Sequence, residues 1–427
     1  MKKNFDFKTI LKFRLRSIKF KGFLKWLYPG IGIKRWIGMA GFGVILIVVG
    51  SSHLRPEQYW LIQRLDAIII LCGIIILILS IKHMVRSFVS ACVPSSKGTE
   101  LVDIIYQRKQ LSRGPKIVTV GGGTGLSVLL SGLKEYTSNI TAIVTVADDG
   151  GSSGRLRQQF DILPPGDIRN CLVALADAPA LMRELFQFRF NTNSELSGHS
   201  FGNLFITVMT QLTGDFEKAI KETSKVLALR GQVIPSTLDN VVLVAQHRDG
   251  TITEGENKIG KSHLPIKKLH LKPNKPAATP EAIKAIKDAQ IIVLGPGSLY
   301  TSIIPNLLIK EITEAIAASS AIKVYVCNIM TQPGETDSFS ASEHIKTLVA
   351  HSSPRIFDYC ILNTGEISGE ILKKYAQENS FAVINDTKNI EHVGYRVIED
   401  DVVLVDSLIR HDPLKLAKII FGFLDEI

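Results

Sequence analysis

What this chain lacks narrows it first. Its five cysteines, at 72, 92, 171, 327 and 360, are scattered with no C-x-x-C pair, which argues against a disulfide framework or a zinc site and agrees with a reducing cytosol. No internal repeat and no low-complexity tract interrupts it, and at 45% hydrophobic composition its 427 residues are too apolar to be disordered. The glycine-rich stretch at 121–125 completes neither standard nucleotide signature. G-x-G-x-x-G, read from Gly121 and Gly123, would need glycine at 126, where Leu126 stands, and no Gly-Lys-Ser/Thr ending follows. Acid is nearly absent from residues 1–35, where eleven Lys or Arg face only Asp6; that balance of +10 equals the formal net charge of the whole chain, so the remainder is neutral overall.

What is there begins with two apolar segments, 36–54 and 67–81, read as a transmembrane hairpin because a bilayer-spanning helix needs about 20 apolar residues. The second is apolar on every face, unlike a helix that packs by one side. A 35-residue basic lead and a second apolar segment do not fit a signal peptide. The connection at 55–66 carries two arginines and two acids, whereas both flanks are cationic, so the positive-inside rule places both chain ends in the cytoplasm of a multi-pass plasma-membrane protein. Attraction of the basic tail to anionic lipid is the simpler reading than nucleic-acid binding, which is not expected. The organisation expected is a tail at 1–35, two membrane helices at 36–85, a linker at 86–112 and a nucleotide-binding domain at 113–427.

From residue 116 onward, short runs rich in Ile, Val and Leu alternate with helical patterns, the signature of an α/β domain with a mostly parallel, Rossmann-like sheet. Strands are expected at 116–120, 141–147, 290–294, 322–327 and 359–362. A small β insertion is expected at about 230–272, a second hairpin near 395–405, and a closing amphipathic helix at 412–424.

Residues 116–127 read as strand, glycine turn and helix. Gly121, Gly122, Gly123 and Gly125, with Thr124 among them, let the backbone approach a phosphate that the free N–H groups of the next helix attract, although such turns also serve tight packing. Strand two ends in Asp148 and Asp149, followed by Ser152, Ser153, Arg155 and Arg157. Two acids at a strand's carboxyl end suit a ribose, a substrate hydroxyl or Mg²⁺, and the arginines suit phosphate; a turn cap is the plainer role for either Asp. Asp167 reads as the N-cap of a helix that carries Arg169 and Asn170 in its first turn.

The run Gly198-His199-Ser200-Phe201-Gly202 matches the nucleophile elbow G-x-S-x-G, but no hydrophobic strand precedes it, so it reads as a helix start capped by Ser200, with His199 and Asn203 as hydrogen-bonding partners. Gly295, Gly297 and Ser298 repeat the strand, glycine turn and helix pattern. Asn328, Thr331 and Gln332 follow the next strand, together with Glu335. Two glycine turns in one sheet suit a two-part ligand such as a nucleotide diphosphate sugar.

The runs at 121–127, 147–157, 164–172, 198–204, 295–302 and 330–336 resemble the gluconeogenesis factor family of bacterial YvcK-type proteins, related to 2-phospho-L-lactate transferase of coenzyme F420 synthesis. The resemblance covers about residues 115–425. It implies a Rossmann-like fold, binding of UDP-sugars such as UDP-N-acetylglucosamine, and a role in cell shape and wall synthesis during growth on gluconeogenic carbon sources. Many members look wholly soluble, and the membrane hairpin departs from them. Two functions stay open. One is a regulator that holds the ligand, with wall-synthesis proteins or a homo-oligomer as partners and no organic cofactor. The other is a transferase with Mg²⁺ on Asp148 or Asp149, in which His199 is the remaining catalytic candidate and Arg155 or Arg157 stabilises charge.

Overall fold

The computed structural model describes residues 33–53, 60–92, 106, 108–191, 195–406 and 408–424. The basic tail up to residue 32, the connection at 54–59 and most of the expected linker lie outside the described residues. The chain divides into two compact units, 1–106 and 107–427.

In the first unit, helix α1 (Ile33–His53) and helix α2 (Trp60–Cys92) pack antiparallel. A Cβ on Gly43 would stand 2.9 Å from the Gly73 carbonyl oxygen, and one on Gly73 would stand 2.8 Å from that of Gly43, so glycine lets the two backbones meet. The Trp36 ring stacks on His83 at 4.2 Å. Away from this seam, Phe42, Ile45, Val48, Ile68, Leu71 and Ile78 are exposed. The segments Arg35–Ser52 and Gln63–Val85 are long and apolar enough to cross a membrane. Helix α2 runs past the expected end at 85, because residues 86–92 contain no breaker before Pro94.

The second unit holds twelve strands among the described residues: β1 (Ile117–Gly121), β2 (Ile140–Val144), β3 (Gln232–Pro235), β4 (Val242–His247), β5 (Ile252–Glu254), β6 (Ile266–Lys272), β7 (Ile291–Leu294), β8 (Ile322–Val326), β9 (Tyr359–Asn363), β10 (Arg396–Asp400), β11 (Val403–Val405) and β12 (Ile409–His411). Seven of them form one parallel sheet in the order β10-β9-β8-β7-β1-β2-β3. β1, β2 and β7 are buried along their whole length, as strands covered by helices on both faces must be. The α/β class read from the sequence is therefore the architecture observed.

Two elements differ from expectation. β3 pairs in parallel with β2, so it belongs to the main sheet, and the small antiparallel sheet β5-β4-β6 begins only at Val242. The start of the expected insertion is thus an edge strand of the main sheet, whose sequence Gln-Val-Ile-Pro has only two apolar residues between a glutamine and a proline. Likewise β10 is a parallel edge strand beside β9, and the hairpin is formed by β11 and β12 instead. Edge strands are half exposed and polar, so β10 resembles a hairpin arm in sequence.

The strand order reverses between β1 and β7. From β1 the chain proceeds outward through β2 to β3, and from β7 it proceeds the other way to β10. β1 leads into helix α3 (Gly123–Leu133), and the loop after β2 leads into α4 (Gly151–Phe160) and then α5 (Gly166–Leu175). Helix α6 (Phe201–Thr213) follows, α7 (Glu256–Ser262) lies in the insertion between β5 and β6, and α8 (Pro413–Gly422) packs back on α3. Asp412 caps α8 by accepting from the N–H groups of Leu414 and Lys415.

A Cβ on Gly132 would run into the Pro413 carbonyl and approach its Cα to 3.1 Å. Alanine in a helix interior gains about 1 kcal/mol over glycine, but overpacking costs about 1–3 kcal/mol, so Gly132→Ala is expected to lower the denaturation midpoint of the 107–427 unit. Gly369→Ala, where nothing stands within 4 Å, is expected to leave it unchanged or raise it.

Candidate functional site

Register places the two glycine turns side by side. Val120 of β1 pairs with Leu294 of β7, and the Gly295 N–H donates to the Val120 carbonyl at 2.9 Å, so both chains leave the sheet at one level. This is the switch point, where a crevice opens outside the strand ends. Gly123 and Gly295 adopt φ of +67° and +77°, the left-handed region that favours glycine. Gly125 is needed for another reason: a Cβ there would stand 2.6 Å from the Pro296 carbonyl oxygen. Gly122 likewise meets Asp167, whose Oδ2 would lie 2.5 Å from an added Cβ. Helix α3 has no cap from its own N-cap residue, Gly122; the Gly123 N–H donates to Asp167, and Thr124 and Gly125, whose N–H groups have no partner within the helix, line the crevice.

A cavity of about 380 Å³ lies between the turns, lined by Gly122, Gly123, Thr124, Gly125, Asp148, Asp167, Glu256, Gly297, Ser298, Thr301, Ser302 and Gln332. No Lys or Arg lines it. Burial raises the Asp148 carboxyl above its usual range, although the Gly150 N–H and the Ser153 hydroxyl donate to it. Asp167 is raised to about 7 by burial and by the neighbouring Asp148 charge, partly offset by the Gly123 N–H. Glu256 is raised to about 8 by burial and then by repulsion from Asp148 and Asp167. Glu335, raised to about 7 by burial, sits behind the lining and accepts from Thr301 at 3.2 Å and from Gln332 at 2.8 Å. Among the described residues, no group of three or more His, Cys, Asp or Glu could hold a metal ion by itself.

A second cavity, of about 350 Å³, shares Thr124, Gly125, Gly297, Ser298 and Gln332 with the first and continues to Asn328, Tyr375, Arg410 and His411. The glycine turns thus form a ridge with an acidic hollow on one side and a hollow holding an arginine on the other. The Ser298 hydroxyl donates to the Gln332 side-chain oxygen across the ridge. His411 donates to the Cys327 carbonyl, and burial holds its imidazole at about 4, hence neutral.

The residues singled out from the sequence fall into three places. Gly122, Gly123, Thr124, Gly125, Asp148, Asp167, Gly297, Ser298 and Gln332 line the acidic hollow, and Asn328 lines the second one. Gly121 and Gly295 lie just beneath; the Gly121 carbonyl accepts from Asn306 at 3.0 Å. The others form a supporting layer. The Arg169 guanidinium donates to Ser200 at 2.5 Å, Asn203 at 2.9 Å and Asn170 at 2.7 Å, while Ser152 bonds the His199 Nδ1 at 2.9 Å and accepts from Asn203 at 3.1 Å. Arg155 and Arg157 donate to the carbonyls of Ser197 and Val241. Thr331 accepts from the Phe381 N–H.

Asp149 turns away from the cavity and accepts from the Asn257 N–H at 2.8 Å. Ser200 caps α6 as expected, accepting from the Asn203 N–H. Asp167 does not cap α5: Pro165 holds that position and Asp167 lies inside the first turn, which aims its carboxyl at Gly122. Sequence reasoning did not single out Glu256, Thr301, Ser302, Arg410 or His411. Thr301 and Ser302 directly follow the second glycine turn, a signal that could have found them, whereas Glu256 and Arg410 reach the ridge on separate hairpins that carry no local mark.

The family profile described as 2-phospho-L-lactate transferase CofD matches residues 117–403. The gluconeogenesis factor of Bacillus subtilis is 48% identical over 317 residues, covering 74% of this chain and all of its own. A relative from Nostoc sp. is 47% identical over 418 residues, 93% of this chain and 91% of its own. The crystal structure of a Bacillus halodurans protein superposes with a TM-score of 0.71 at 48% identity, covering 72% of this chain and 100% of that one.

Raised carboxyls take up protons on folding, so the contribution of Asp167 and Glu256 to stability is full below about pH 4, the unfolded value, and is lost as pH rises through about 7 to 8. Unfolding midpoints of the ligand-free chain between pH 5 and 8 are expected to fall with pH, and Asp167→Asn is expected to flatten that slope; an equal slope in the variant would contradict the burial described. Fold, register and sequence agree in one conclusion: the chain belongs to the CofD family, among the gluconeogenesis factors.

Proposed function

We propose that this chain binds a nucleotide diphosphate sugar of the UDP-N-acetylglucosamine type across the glycine ridge and acts as a membrane-anchored regulator of cell shape and wall synthesis. The observation that carries the reading is the ridge itself: two glycine turns and the start of a helix between two hollows of different charge. Such a ridge suits a diphosphate at its centre and the two ends of the ligand on either side.

Mg²⁺ fits the same place. The acidic hollow lacks a basic side chain, its carboxyls repel one another, and Mg²⁺ is commonly held by one or two carboxylates together with substrate phosphates. Asp148 and Asp167 would hold it, and its chemistry there would be to neutralise phosphate charge. Asp149 does not line the hollow, which argues against it as a ligand.

A second reading is group transfer, the activity that the name 2-phospho-L-lactate transferase gives to that enzyme. One observation favours it: Asp167, at about 7, is tuned to exchange a proton near neutrality.

Calorimetry of the full chain in detergent with Mg²⁺ and UDP-N-acetylglucosamine is expected to give binding without turnover. Asp148→Ala and Gly125→Val are each expected to weaken it by about tenfold or more, as loss of a charged contact or of the ridge would. Phosphodiester product from an activated phospholactate donor and a flavin-like acceptor would favour transfer, and absence of binding would overturn the regulator.

Anchoring by α1 and α2, with both chain ends cytoplasmic and lipid around the exposed apolar faces, rests on the length of the two helices and on the cationic flanks. Protease added outside intact cells is expected to spare tags at Met1 and Ile427, and cleavage of either would overturn the orientation.

A further inference from the structure

The insertion between β3 and β7 reaches the cavity through one side chain, Glu256, the first residue of α7. Locally the helix is held by the Gly255 N–H, which donates to the Leu243 carbonyl of β4 at 2.8 Å, and by Ile259, which is fully buried; neither fixes its first turn, where Glu256 stands. Gly255, before it, has no side chain with which to cap, and α7 is only seven residues long, too short to be stable alone. The first turn takes a further contact from elsewhere in the chain. Asp149 accepts from the Asn257 N–H at 2.8 Å, across 108 residues of sequence. Gly255 lies so close that an added Cβ would strike the Asp149 carboxylate, and its φ of +102° admits no ordinary side chain without strain. On the far side, a Cβ on Gly334 would meet the Gly260 carbonyl at 2.9 Å, so the loop bearing Gln332 and Glu335 closes against the same helix. Farther back, Arg157 donates to the Val241 carbonyl at the start of the insertion.

We propose that Asp149 is a positioning residue: its carboxylate latches the insertion to the loop after β2 and thereby sets Glu256 in the wall of the ligand cavity opposite Asp148 and Asp167. Adjacent acids then divide two tasks. Asp148 faces the ligand, and Asp149, one residue on and pointing the other way, holds the wall that closes over it. The ligand side of this inference rests on the nucleotide-sugar reading, but the latch itself does not.

The chemistry separates a latch from a ligand or metal contact. An asparagine oxygen still accepts an N–H bond but carries no charge, so Asp149→Asn keeps a latch and loses a charged contact. Hydrogen exchange of the full chain in detergent, without ligand, reads the latch directly. Asp149→Ala is expected to speed exchange at the amides of residues 256–259 by up to about tenfold, the upper worth of one ordinary hydrogen bond, while Asp149→Asn, which keeps the acceptor, stays nearer wild type than Asp149→Ala. Gly255→Ala, which disturbs the same contact from the other side, is expected to behave like Asp149→Ala. In calorimetry with UDP-N-acetylglucosamine and Mg²⁺, the alanine variants are expected to bind more weakly and Asp149→Asn to bind like wild type. Unchanged exchange in both alanine variants overturns the latch, and so does Asp149→Asn matching Asp149→Ala in exchange; where wild type binds the sugar nucleotide, Asp149→Asn binding as weakly as Asp149→Ala overturns the positioning role. Wild-type protein that does not bind the sugar nucleotide at all overturns the ligand reading alone, since the exchange result stands without it.

Discussion

The close approach of two backbones at the ridge is the constraint on which the rest of the site depends. Gly125 of the first turn lies against Pro296 and Gly297 of the second, near enough that a single added carbon would force them apart. A parallel sheet places adjacent strand ends about 4.8 Å apart, and here the two loops stay in contact beyond the strands, which leaves no room for a Cβ at Gly125. Glycine satisfies that condition and lets the backbone at the start of α3 line the crevice. The same contact separates the acidic hollow from the one that holds Arg410. One packing requirement thus yields both the anion-attracting centre and the charge asymmetry around it.

How much of this was legible before the structure depends on how local each feature is. β1, β2 and β7 were readable because strands buried on both faces are rich in Ile, Val and Leu, and the two turns were readable because glycine marks them. β3 and β10 were not, since β3 holds only Val233 and Ile234 between Gln232 and Pro235 and β10 lies at an exposed edge. The site divides in the same way. Asp148 and Asp167 stand next to recognisable turns. Glu256 comes from an insertion and Arg410 from a hairpin, and their arrival at one ridge is a property of tertiary packing that no neighbouring residue announces. Asp148 and Asp149 look equivalent in sequence, and only the direction of their side chains tells them apart.

The supporting layer explains how mutually repelling acids remain in place. Asp148 follows β2 and Asp167 lies in the first turn of α5, so two separate elements must be held together against like charge. Arg169, two residues after Asp167 in α5, is buried, yet its hydrogen-bond partners are the neutral oxygens of Ser200, Asn203 and Asn170 rather than a carboxylate. A carboxylate partner would spend the positive charge locally. Neutral acceptors satisfy part of the guanidinium's geometry and leave its charge to act on Asp148 and Asp167, both of which it draws toward the ionised form. The guanidinium Nε has no partner, a cost of roughly 1–3 kcal/mol for a buried donor that the surrounding bonds must offset. Ser200 also caps α6, and Asn203 bonds Ser152 at the start of α4, so the same few side chains join three helix starts behind the cavity. The elbow-like run at 198–202 therefore serves the acids without touching the ligand cavity: its serine is occupied by a cap and an arginine, which leaves the hydroxyl no freedom to act as a nucleophile.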